Sequence, residues 1–130
     1  MTPTRIVERD ALAIHDRLLA LDGGAPGVCD PGLLASALAR PPQHHAYGDA
    51  PDIVRLAALY THGIFSNHPF VDGNERVGFV VGVLTLELNA CTFTAPQELD
   101  PRGALPRRWD TGLDGYERFL RDHARSADGA

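Results

Sequence analysis

Hydrophobic positions recur every three or four residues through most of this chain, and capping or breaking residues bound each run. In "ERDALAIHDRLLAL" (8–21), Ala11, Ile14, Leu18 and Leu21 share one helical face with charges between them. "DGGAP" then stops the helix with glycine and proline. Asp30 is a good N-cap and Pro31 a good first helical residue, predicting a short helix from Pro31 to about Arg40. "PPQHHAYGDAP" (41–51) has prolines at both ends and reads as an exposed loop or short flap, with His44 and His45 as loop histidines. Asp52 caps "IVRLAALYTHGIF", in which Ile53, Leu56, Ala57, Tyr60 and Ile64 align.

The segment after residue 76 is apolar all round, at Val77, Phe79, Val80, Val81, Val83, Leu84, Leu86 and Leu88. Its valines allow a strand. Its length and flanking signals favour a central helix buried on most sides, with Gly82 admitting a close neighbour and Asn89 ending it in a left-handed conformation. Residues 95–110 are broken by proline and left unassigned. Arg107, Arg108 and Trp109 read as a solvated face with one packed aromatic. "GLDGYERFLRDHA" closes the chain as an amphipathic helix, with Leu113, Tyr116, Phe119, Leu120 and His123 on one side. Strand patterns are few and no internal repeat occurs. The fold expected is mainly α, and 130 residues fit a single domain, 1–130.

Charge and composition narrow the function. A net charge of −5 with scattered arginines argues against direct nucleic-acid binding. The hydrophobic run is interrupted by Gly82, Thr85 and Glu87 and falls short of the ~20 residues a membrane span needs. No secretory signal opens the chain, and Cys29 and Cys91 stand in no metal-ligand spacing, so a cytoplasmic protein with reduced thiols is expected.

The polar chemistry is concentrated in "NHPFVDGNERVGF" (67–79), ahead of the most apolar segment. A helix starting near Gly73 turns its first unpaired amides, and the positive end of its dipole, back toward residues 68–72. Gly73 lets an anion approach the backbone, Asn74 can donate an amide hydrogen bond to a phosphate, and Arg76 offers a bidentate cation. His68 can accept a proton from an attacking hydroxyl, and Asp72 is a hard oxygen ligand suited to Mg²⁺. These are the parts needed to move a phosphorus-centred group to a hydroxyl. A plainer reading competes: Asp72 and Glu75 have capping-box spacing, in which both carboxylates only satisfy the helix start. It is favoured for Glu75, which would then fill the cradle at rest. Asn67 reads as a helix C-cap and His62 as a structural histidine. A metal-dependent hydrolase built on His62, His68 and Asp72 fits poorly, because their spacing matches no helix face.

"HPFVDGNERVGF" resembles the signature loop of the Fic/Doc (filamentation induced by cAMP, death-on-curing) family, roughly H-P-F-x-D/E-G/A-N-x-R. It matches at His68, Pro69, Phe70, Asp72, Gly73, Asn74 and Arg76. "GGAPGVCDPGLLASAL" (23–38) is similar to the glycine-rich turn and following helix of the death-on-curing branch. The resemblance implies a compact all-α bundle of about six helices. It implies an enzyme that uses ATP and Mg²⁺ to modify a protein hydroxyl, by AMP transfer in most Fic members or, in the death-on-curing branch, by phosphorylating a threonine of elongation factor Tu. His68 would be the general base and Asp72 the metal ligand. Gly73, Asn74 and Arg76 would bind phosphates, Phe70 would anchor the loop, and residues 41–51 would form the target-docking flap. A cognate antitoxin is implied as a partner. Two positions depart from the pattern. Phe79 stands where AMP-transferring members carry a second arginine, which favours phosphate transfer. Glu75 puts an acid where the family has lysine or glycine, which supports a second reading as a catalytically weakened domain that binds nucleotide or protein without turnover.

Overall fold

The computed structural model describes residues 4–46, 52–94 and 112–126. Five helices dominate them: α1 (Glu8–Asp22), α2 (Pro31–Ala46), α3 (Ile53–Asn67), α4 (Asn74–Leu88) and α5 (Gly112–His123). The only sheet among them pairs β1 (Cys91–Phe93) antiparallel with β2 (Ala124–Ser126), with Thr92 opposite Arg125. The all-α expectation holds. Among the described residues, no helix is long and apolar enough to cross a membrane.

Helix α3 is the centre of the molecule. Asp52 caps it by accepting a hydrogen bond from the Arg55 amide at 2.9 Å, and burial runs around most of its circumference, from Val54 and Leu56–Thr61 to Gly63 and Ile64. This corrects the assignment of the most enclosed position to α4. Helix α4 buries one face, at Val77, Gly78, Val81, Gly82, Thr85 and Leu86, while Val80, Val83 and Leu84 are half-buried and Leu88 is exposed. Small residues explain how closely the two helices meet. A Cβ on Gly82 would collide with the Thr61 hydroxyl and lie 3.3 Å from the Ala57 carbonyl. At the same crossing the Thr61 hydroxyl donates to the Gly78 carbonyl at 2.6 Å.

Two apolar clusters flank the pair. Ile6, Leu34, Tyr60, Ile64, Phe70, Val77 and Val81 join α1 and α2 to it on one side. Val54, Leu86, Tyr116, Phe119 and Leu120 join α5 on the other.

Three further details depart from the sequence reading, and two stretches cannot be compared. Helix α2 continues through Pro41 and Pro42 to Ala46 instead of ending near Arg40, so His44 and His45 lie in a helix. Each proline forfeits an amide hydrogen bond, but the Pro41 ring is fully buried, and that packing offsets the loss. Residues 47–51 of the expected flap, and 95–111 with Arg107, Arg108 and Trp109, lie outside the described residues. Leu21 is 65% exposed; the buried face of α1 is completed by His15 instead. The left-handed residue after α4 is Ala90, not Asn89, whose side chain bonds the Thr4 backbone and the Thr85 carbonyl.

Candidate active site

The connection between α3 and α4 is short, and every residue in it is held. His68 ends α3 in a left-handed conformation (φ 48°, ψ 56°), its amide donating to the Ile64 carbonyl at 3.1 Å. That backbone, costly for a residue with a Cβ, leaves the imidazole at the surface. The chain then dives: Pro69 and Phe70 are fully buried. Gly73 (φ 81°, ψ 14°) turns the chain into α4, and no side chain caps that helix. Among the described residues, no side chain caps the amides that follow Gly73, and they lie beside the exposed His68.

The glycine-rich turn after α1 clamps the loop from outside. The Cys29 amide donates to the Pro69 carbonyl at 2.8 Å and the Val71 amide to the Gly27 carbonyl at 3.0 Å, forming a bridge between Val28 and Phe70. The Ala25 amide reaches the Asp72 carboxylate at 3.3 Å, and a Cβ on Gly24 would sit 2.9 Å from the same oxygen. The two stretches singled out in the sequence thus form one structure.

Asn74 is buried and works inside the loop. Its side-chain oxygen accepts from the Phe70 amide at 3.0 Å, and its nitrogen donates to the Phe70 carbonyl at 2.9 Å. Those bonds fix which end of the amide is which, so the nitrogen lies 3.3 Å from His68 Nδ1. Neutral His68 then carries its lone pair on Nδ1 and its proton on Nε2. The structure gives Asn74 a role in fixing the loop, whereas the sequence suggested a phosphate donor.

The remaining residues differ in how exposed they are. Asp72 lies at the surface, with one carboxylate oxygen accepting from the Gly73 amide at 2.8 Å. Because Gly73 is the N-cap, Asp72 precedes it and Glu75 stands too early in the helix for the expected capping box. Glu75 is instead exposed to solvent. Arg76 pairs with Asp22 at the end of α1, at 2.9 Å. Phe79 packs edge-on against Phe93.

His15 escaped the sequence reading. It is buried, its Nε2–H donates to the Asp72 main-chain carbonyl at 3.0 Å, and its ring stacks on Phe70 at 4.2 Å. The signal was available: His15 lies four residues after Ala11 and three before Leu18, on the apolar face.

On the other side of His68 is a cavity of about 340 Å³ lined by His62, Phe65, Ser66, His68, Gly112 and Tyr116. Burial, then the nearby Arg40 and Arg55, push the His62 pKa below the ordinary histidine value, so the ring favours its neutral form. Its Nε2 lies 3.3 Å from the Ser66 hydroxyl. Among the described residues, no three His, Cys, Asp or Glu side chains converge to hold a metal. A divalent cation at Asp72 would therefore draw most of its ligands from a nucleotide and water, which is how Mg²⁺ is commonly bound.

Residues 5–86 match the model of a family described as the Fic/DOC family. The chain is 29% identical over 96 residues to "Protein kinase doc" of Escherichia phage P1, covering 73% of this chain and 76% of that protein. It is 38% identical over 80 residues to "Toxin Doc" of Mycolicibacterium smegmatis, covering 60% of this chain and 61% of that protein, under two-thirds of its length.

Proposed function

The chain belongs to the Fic/Doc family, and from that premise we propose that it is a toxin-type transferase moving a phosphate from ATP to a Ser or Thr hydroxyl of a protein target. The observation that carries this reading is the uncapped start of α4, rigidly placed and flanked by an exposed imidazole. Bare helix amides favour developing negative charge on a transferring phosphoryl group. The kinase and toxin names of two relatives lend support.

In this mechanism the triphosphate lies across Gly73 and the first amides of α4, with Arg76 leaving Asp22 or sharing it to reach a phosphate oxygen. The acceptor hydroxyl enters from the side of the 340 Å³ cavity. Its oxygen bonds to the γ-phosphorus while the bond from that phosphorus to the leaving ADP oxygen breaks. His68 takes the hydroxyl proton on Nδ1, exchanging its contact with Asn74 for the new N–H. Asp72 would hold Mg²⁺, which when bound neutralises charge on the phosphates. Phe79 in place of a second arginine favours phosphate over AMP as the group moved. The target is a cytoplasmic translation protein such as elongation factor Tu, and a cognate antitoxin silences the enzyme.

A second reading, nucleotide or protein binding without turnover, is favoured by the exposed Glu75 at the helix start and by the Asp22–Arg76 pair. One experiment separates them. The protein is incubated with ATP, Mg²⁺ and cell extract, and extract proteins are weighed by mass spectrometry. A phosphate increment, lost in His68→Ala, is expected. An AMP increment corrects the group transferred, and no increment with ATP still bound replaces the first reading by the second. In cells, growth arrest that persists in His68→Ala would remove His68 as its source.

A further inference from the structure

The buried His15 is a titratable side chain that the mechanism above leaves unused. From α1 it reaches both Phe70 and Asp72 of the signature loop. Its ring lies nearly parallel to Phe70, with centroids 4.2 Å apart and planes 18° apart, and its Nε2–H points at the main-chain oxygen of Asp72. A carbonyl can only accept, so Nε2 must carry a hydrogen. Gly73, the next residue, lies against the same imidazole: a Cβ there would be 3.9 Å from His15 Cδ2. The Asp72 carboxylate itself is reached by the Ala25 and Gly73 amides. Main chain and side chain of Asp72 are thus tethered from different elements, and the main-chain tether to α1 is His15.

We propose that His15 is a positioning residue for the divalent cation of the nucleotide complex: its Nε2–H bond to the Asp72 carbonyl, braced by the stack on Phe70, sets where the Asp72 carboxylate meets the metal. This rests on the proposed function, because it needs Asp72 to hold that cation. His15 touches neither nucleotide nor acceptor; it acts through Asp72. Outer hydrogen bonds of this kind typically change metal affinity by about 10- to 100-fold when removed. With a surface carboxylate that keeps two other amide partners, the low end is expected.

The test is a Mg²⁺ titration of the full chain with a non-hydrolysable ATP analogue, read by calorimetry, beside nucleotide binding without metal. His15→Phe keeps an aromatic ring on Phe70 and removes the N–H. It should raise the Mg²⁺ concentration at half-saturation about tenfold and leave metal-free nucleotide affinity unchanged. His15→Gln restores a donor and should recover much of the loss. A general loosening of the core would lower both affinities together and overturns the positioning role, as does a His15→Phe titration matching wild type. A wild type that binds nucleotide equally well with and without Mg²⁺ removes the underlying metal reading and this role with it. Should His15→Phe fail to fold, the wild type decides. Its His15 ring ¹⁵N signals should shift when Mg²⁺ is added to the nucleotide complex, but not in Asp72→Asn; signals that stay still overturn the proposal.

Discussion

Replacing Asn74 with alanine separates a loop staple from a phosphate ligand. The side chain satisfies both backbone groups of Phe70, a residue that is fully buried, with bonds of 3.0 and 2.9 Å. Leaving a buried donor or acceptor unpaired costs about 1–3 kcal/mol each. The third bond, to the exposed His68, adds little, because water can replace it. Alanine also favours the first turn of a helix by a few tenths of a kcal/mol. Asn74→Ala should therefore lower unfolding stability by roughly 2–4 kcal/mol, measured by urea denaturation followed by far-UV circular dichroism. Asn74→Asp keeps the acceptor for the Phe70 amide but sets its second oxygen against the Phe70 carbonyl in a buried position, so it should also fall well below wild type. A loss under about 0.5 kcal/mol for alanine, together with a large drop in nucleotide affinity, would refute the staple and return Asn74 to the phosphates.

Three more outcomes follow from charged and titratable groups. Asp22→Asn removes the partner of Arg76; a half-exposed pair is worth about 0–1 kcal/mol, so ATP affinity should rise about two- to fivefold at low salt and less at high salt. Calorimetry showing weaker binding would mean that Asp22 holds Arg76 in its working pose. For His62, the folded pKa lies below the ordinary 6.5 because of burial, then Arg40 and Arg55. The unfolded chain therefore binds more protons below that value, and stability falls as pH drops through it. Thermal unfolding between about pH 7 and pH 5 should show this slope, and His62→Gln should flatten it; an unchanged slope assigns it to other groups. At lower pH a second loss arises at Asp52. Burial raises its pKa, but hydrogen bonds from Arg121 and the Arg55 amide outweigh burial and hold it below 3.8, so this contribution is lost as pH falls through the lowered value.

The helices were legible because their ends carry local chemistry. Asp30 and Asp52 cap as their neighbours predict, and the start of α4 at Gly73–Asn74 follows from the polar-to-apolar change there. What escaped the sequence depends on partners distant in the chain. Pro41 is tolerated in α2 because its ring finds a buried site, which no local rule reveals. Leu21 fits the helical period and still faces solvent, since α1 touches the core along a narrow stripe. Within the candidate site, the type and spacing of His68, Asp72 and Gly73 singled them out, and the structure places them together on the one connection between α3 and α4. Asn74 did not announce that its amide would be consumed by Phe70, because that depends on the loop folding back over four residues. Asp22 looked like the end of a helix, and its pairing with Arg76 spans 54 positions.

The bridge between Val28 and Phe70 makes the signature loop the shared property of two distant parts of the chain. A fragment carrying only α3 and α4 would possess every motif residue and lack the strand-like support, the His15 stack and the Asp22 partner. Severing the polypeptide between α2 and α3 would therefore yield two inert halves, and any activity regained on mixing them would report that they had found each other along that seam.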